Sequence, residues 1–190
     1  ITFDETENVL NSDTAQDIRK SILDGSFSYC NKKTCPRIQS IPKGGDGILQ
    51  RIEDVEDQHL LDIIKNKETK IDSIKYVNFL WDLSCNLRCP SCRVSTILNT
   101  KGEAYENSLQ IQNKILDYAL PLDSDLIFNI TGSGDPFSSK VFRDFLTSFD
   151  GNKHPNVVIN LQTNGVMFTE NMWEKMSLCH DNISTVLILS

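Results

Sequence analysis

The 190-residue sequence predicts an α/β protein built on a parallel sheet, and three observations carry that prediction. Four apolar runs rich in β-branched and aromatic residues, YVNFLWDL, DLIFNI, NVVINL and STVLIL, read as strands. Segments with helical spacing lie between them. The last three runs recur at intervals of roughly 30 residues, the size of a βα unit with a right-handed crossover.

Along the chain, DTAQDIRKSIL (Asp13 to Leu23) has helical spacing, with Ile18 and Ile22 four apart, Asp13 or Thr14 available as N-cap and Gly25 as a stop. GSFSYCNKKTCPRI is turn-rich, and PKGGDG predicts a loop or hinge. A second helix is expected from Ile52 to Lys65, because Leu60, Leu61 and Ile64 recur on one face. The first strand is expected over Tyr76 to Leu83. Further helices are expected over Tyr105 to Leu120, Ser139 to Phe149 and Thr169 to Leu178, the second presenting Phe142, Phe145, Leu146 and Phe149 to a sheet. Nearly continuous apolar strands are the kind buried on both sides.

This divides the chain into residues 1–75, a mainly helical and irregular extension carrying Cys30 and Cys35, and residues 76–190, about four βα units. Four units fall short of a closed eight-stranded barrel. The start at Ile1 and the stop at Ser190, directly after an apolar run, lead us to expect a truncated chain.

Composition excludes some functions. With 39% hydrophobic and 24% charged residues the chain suits a soluble globular protein. A net charge of -7, without a Lys/Arg stripe, argues against nucleic acid as partner. No run is long enough to cross a bilayer and no signal peptide is evident, so the expected location is cytoplasmic, with no membrane partner. Six cysteines in such a chain point to metal binding rather than disulfides.

Three of them stand together in WDLSCNLRCPSCR, as Cys85, Cys89 and Cys92, on the loop that follows the first strand. Chemistry in parallel α/β proteins sits on such loops. Four readings remain open. The thiols could be structural, though three polar-flanked cysteines in one loop suit that poorly. They could bind structural zinc, with Cys30 or Cys35 as fourth ligand. Cys89-Pro90-Ser91-Cys92 has the redox C-x-x-C form, which leaves Cys85 without a role. Three thiolates could also hold a 4Fe-4S cluster with one iron left open for another ligand.

The C-x3-C-x2-C spacing after a first strand resembles the signature of the radical S-adenosylmethionine (radical SAM) superfamily. That resemblance implies a partial (β/α) barrel, a 4Fe-4S cluster on Cys85, Cys89 and Cys92, and S-adenosylmethionine as second cofactor. It further implies a 5'-deoxyadenosyl radical that abstracts hydrogen from substrate, and an electron donor such as a flavodoxin or ferredoxin. TGSGDPF is similar to the family's Gly-Gly-Glu-Pro stretch, so Ser133, Gly134 and Asp135, with Pro136, fall on the positions that hold the methionine end. LQTNGV resembles the Thr-Asn-Gly after the third strand and implies Asn164 and Gly165 at the rim. Ser190, at the end of the fourth strand, falls where many members carry a polar residue facing the cofactor.

The sequence departs from the pattern in three places. Ser91 stands where an aromatic residue is usual, Ser133 replaces glycine, and Asp135 replaces glutamate. GSFSYCNKKTCP resembles the cysteine-bearing end of SPASM-type extensions, which bind auxiliary clusters in peptide-modifying members. By that analogy the substrate would be a peptide or protein. The alternative is a non-catalytic zinc-binding or interaction module using the same cysteines.

Overall fold

Four parallel strands, β1 (Tyr76–Asn78), β2 (Leu126–Ile130), β3 (Val157–Thr163) and β4 (Ile183–Ile188), form one sheet in the order β1-β2-β3-β4. They belong to a computed structural model that describes residues 10–40, 52–122, 125–130 and 134–188. The chain divides into two units, Ile1–Asp72 and Ser73–Ser190.

In the first unit, α1 (Asp13–Leu23) begins one residue earlier than a cap at Asp13 implies and two earlier than one at Thr14. Ser12 is the N-cap, and its hydroxyl accepts the Ala15 amide hydrogen. Gly25 follows the helix with φ +73°, a left-handed conformation that favours glycine. The turn-rich segment contains a short helix, α2 (Pro36–Ser40), and the PKGGDG loop lies outside the described residues. The helix expected from Ile52 to Lys65 is broken. A 3-10 turn spans Ile52–Asp54, and α3 (Gln58–Asn66) starts afresh behind Asp57, whose carboxylate accepts the Leu60 amide hydrogen. An aspartate at that position caps a new helix in preference to continuing an old one.

In the second unit α4 (Glu103–Ala119), α5 (Lys140–Ser148) and α6 (Glu170–Lys175) alternate with the strands. Ser139 and Thr169 cap α5 and α6 with their hydroxyls. The third of these helices is shorter than expected, giving way to a 3-10 segment, Ser177–Asn182, that leads into β4. The first strand is shorter too. Its ladder stops at Asn78, although the Phe79 amide still donates to the Asn129 carbonyl at 2.9 Å.

The strands differ from expectation in their burial. β2 and β3 alternate between fully and partly buried residues, so only one face carries the core. On that face Phe79, Phe128, Ile130, Ile159 and Leu161 are buried against Phe142, Phe145 and Leu146 of α5. The Phe79 ring sits 5.3 Å from Phe128 and 5.2 Å from Phe145, distances at which offset aromatic pairs attract. The opposite face carries a row of amides. Asn78, Asn129 and Asn160 stand in register, with Asn160 Nδ2 donating to Asn129 Oδ1 and Asn129 Nδ2 to Asn78 Oδ1, both at 3.0 Å. A one-residue slip would turn this row into the core, so the amides pin the register.

Candidate functional site

All four strands run the same way, so the segments after β1, β2 and β3 emerge at one edge of the sheet. The segment after β1 contains the three clustered cysteines. It is pinched at its base, where the Cys85 amide donates to the Ile97 carbonyl at 2.8 Å in an antiparallel bridge. The Asn99 amide donates to Ser84 Oγ, also at 2.8 Å. Ser84 and Asn99 are thus the two feet of a thiol loop, with Cys85 just inside it.

The segment after β2 packs directly onto this base. The Asp135 amide donates to the Ser84 carbonyl at 2.8 Å. Gly134 is required beside it, since a Cβ there would lie 2.6 Å from the Ser84 carbonyl oxygen and 2.8 Å from that of Asp82. The glycine expected at the site therefore serves a protein–protein approach within the fold. Asp135 is 1% exposed and its carboxylate is fully engaged. Oδ1 accepts from the Phe137 and Ser138 amides (3.0 and 3.1 Å), with Ser138 Oγ 3.3 Å away. Oδ2 accepts from Thr163 Oγ1 (2.7 Å) and the Asn164 amide (2.8 Å). Asp135 ties the β2 turn to the β3 turn.

Asn164 lies in the turn that follows β3. Its Nδ2 donates to Asn86 Oδ1 at 2.9 Å and lies 3.6 Å from Cys85 Sγ. Gly165, at φ +79°, completes the turn. Ser138 Oγ accepts from the Asn86 amide at 3.2 Å and donates to Asn86 Oδ1 at 2.7 Å, so Asn86 is held by the segments after β2 and β3.

The three cysteines are not equivalent. Cys85 is buried, and the Leu87 amide approaches its sulfur at 3.4 Å. Cys89 and Cys92 are exposed at the tip, where the Cys92 amide closes a turn onto the Cys89 carbonyl at 2.9 Å. Arg93 bridges tip and base, donating to the Leu83 carbonyl at 2.7 Å while its other terminal nitrogen lies 3.5 Å from Cys92 Sγ. Among the described residues no three His, Cys, Asp or Glu side chains converge on one metal position. Ser91 is exposed on the tip, and Ser133 and Ser190 lie outside the described residues. Cys30 and Cys35, in the other unit, are half-buried and free.

Sequence reasoning missed Asp82, Ser84, Asn86, Asn99, Ser138, Ser139 and Thr163. Asp82 and Asp135 did leave a signal. Each accepts the amide hydrogen two residues on, the Asx-turn habit of aspartate in a loop.

The fold and the site define a mixed α/β protein with a thiol loop at the edge of a parallel sheet where its strands end. No family model matches the chain, and no curated protein or solved structure matches it either.

Proposed function

We propose that the chain is part of a radical SAM enzyme core, in which Cys85, Cys89 and Cys92 hold a 4Fe-4S cluster beside S-adenosylmethionine. The observation that carries this reading is the meeting of three strand-end segments at Cys85. Asn164 from β3 reaches both Asn86 and the Cys85 sulfur, and the Gly134-Asp135 turn from β2 supports the base. Three thiols with N–H groups directed at two of the sulfurs are a donor set suited to an iron–sulfur cluster, whose sulfurs accept such bonds. Cys85, Cys89 and Cys92 would hold the cluster, which would supply one-electron reduction of S-adenosylmethionine there.

The chain's own residues have positional roles. Arg93 sets a cation beside Cys92 and anchors it to the base through Leu83. Asn86 and Asn164 meet through their side-chain amides, and Ser133, Gly134, Asp135 and Ser190 are the positions this reading assigns to S-adenosylmethionine. The partial barrel, the cytoplasmic location, a flavodoxin- or ferredoxin-type donor and a peptide or protein substrate belong to this same reading. What supports its coarse part is the parallel sheet and the lack, among the described residues, of any helix long and apolar enough to cross a membrane.

Anaerobic reconstitution with iron and sulfide tests it. The expected outcome is a brown chain with roughly four irons, losing them on Cys89→Ala. Retention of a single zinc with no uptake of iron would support the interaction-module alternative and overturn the enzyme reading.

A further inference from the structure

The most over-determined group near the thiols is one that neither the spacing of the cysteines nor the proposed chemistry calls for. Asp82 lies three residues before Cys85 and is 1% exposed. Its Oδ1 accepts three hydrogen bonds, from the Ser84 amide (3.1 Å), Ser84 Oγ (3.0 Å) and Asn99 Nδ2 (3.0 Å). Its Oδ2 accepts a fourth, from Ser139 Oγ at 2.6 Å. Ser84 and Asn99 are the two feet of the thiol loop, and Ser139 is the N-cap of α5. We propose that Asp82 is the positioning residue of the thiol loop, closing both of its feet on one carboxylate and locking them to α5, and thereby setting where Cys85 stands.

Three physical points carry this. A loop held at both ends by one rigid group keeps its base closed whatever its tip does, and the tip here is exposed. The partner on the far side is itself fixed, because Ser139 Oγ also accepts the Phe142 amide and Phe142 is part of the core. Finally, all four donors are neutral, so the carboxylate is used for its acceptor count. An acceptor-only group can take three donors on one oxygen and one on the other, and few other side chains can.

The last point makes a conservative variant informative. In Asp82→Asn the remaining oxygen can keep the three bonds to Ser84 and Asn99, while the new amide donates to Ser139 Oγ with the direction of that bond reversed. Asp82→Ala removes both acceptor oxygens and with them all four bonds, leaving Ser84 and Ser139 buried without that partner.

The experiment is alkylation of the native, metal-free chain with iodoacetamide, read at each cysteine by peptide mass spectrometry. Cys179, fully buried in the core, reports global opening, and exposed Cys89 and Cys92 give the reference rate. Asp82→Ala should speed labelling of Cys85 by about tenfold through local opening, with Cys179 still protected, whereas Asp82→Asn should raise it by less than about threefold. An unchanged Cys85 rate in Asp82→Ala, or equal opening by Asn and Ala, overturns the proposal. Should Asp82→Ala expose Cys179 as well, Asn99→Ala, which frees one foot only, decides. Faster labelling at Cys85 alone supports the proposal, and no change overturns it.

The inference borrows from the proposed function only the importance of Cys85. Reconstitution of the same variants separates the two. If the unsubstituted chain takes up no iron, the enzyme reading fails while the labelling result stands. If it does, the Asn variant should keep the electron paramagnetic resonance signal of the reduced cluster and the Ala variant should broaden or lose it.

Discussion

The two ends of the thiol loop are built on opposite principles. At its base, buried carboxylates on Asp82 and Asp135 gather eight hydrogen bonds between them, four on each, and Cys85 sits among groups from three strand ends. At its tip, Cys89, Pro90, Ser91 and Cys92 are all exposed, and Val94 is 93% exposed. One sulfur is placed by the fold, and two are left within reach of solvent. The difference teaches that the site has a fixed point and an adaptable rim, which is how a loop can bind something large without surrendering its anchorage.

Substitutions at the base should therefore cost stability, and substitutions at the tip should not. The largest effect is expected for Asp135→Ala. Four donors would lose their acceptor in a buried place, and the urea midpoint should fall by the equivalent of about 3 kcal/mol. A loss below that of an ordinary surface substitution would mean the turn repacks around water. Gly134→Ala comes next. The new methyl meets backbone oxygens that cannot swing aside, so about 2 kcal/mol of destabilisation is expected from overpacking, measured by the same titration.

A third test compares the loop with a thiol that the fold seals completely. Burial pushes Cys179 up from an ordinary 9.0 to about 11, and its S–H donates to the Leu146 carbonyl. The folded chain keeps that proton where the unfolded chain loses it, so the stabilisation is whole below pH 9 and is lost as pH rises through 11. The urea midpoint should decline over that window, and the decline should be shallower in Cys179→Ala. Equal slopes in the two chains would show that some other group titrates. The smallest effect on stability is expected at the tip. Cys89→Ser should leave the midpoint within about 0.5 kcal/mol while abolishing iron uptake under the proposed reading, which would separate folding from binding at one residue.

Much of the scaffold was legible because strand and helix periodicity survive in single segments. The β2 and β3 runs and the phenylalanine stripe of α5 are local patterns, and they folded as read. Asp57 shows where that fails. It sits in a plausible helical stretch, yet as an N-cap it breaks the stretch and begins α3. The one-sided burial of the sheet was hidden for a different reason. Asn78, Asn129 and Asn160 interrupt three separate apolar runs, and nothing within any one run says that they align.

The candidate site was legible in its cysteines and in Asn164, and illegible in its supports. Asp82 touches Ser139 across 57 positions, and Asn86 meets Ser138 across 52. Serines and aspartates are common in loops, so no spacing rule selects these pairs before the sheet has brought them together. Asp135 was legible in place, and its ties to the β3 turn were not. Its length as an aspartate suits the short reach to Thr163 and Asn164, a demand made by the fold and unseen in the motif.

The bond from Asn164 toward Cys85 spans 79 positions, and this fixes an order of events during synthesis. Cys85 leaves the ribosome long before the residues that hold its base in place. Until β3 and its turn have followed, the first of the three thiols lacks the partner that gives it its final address.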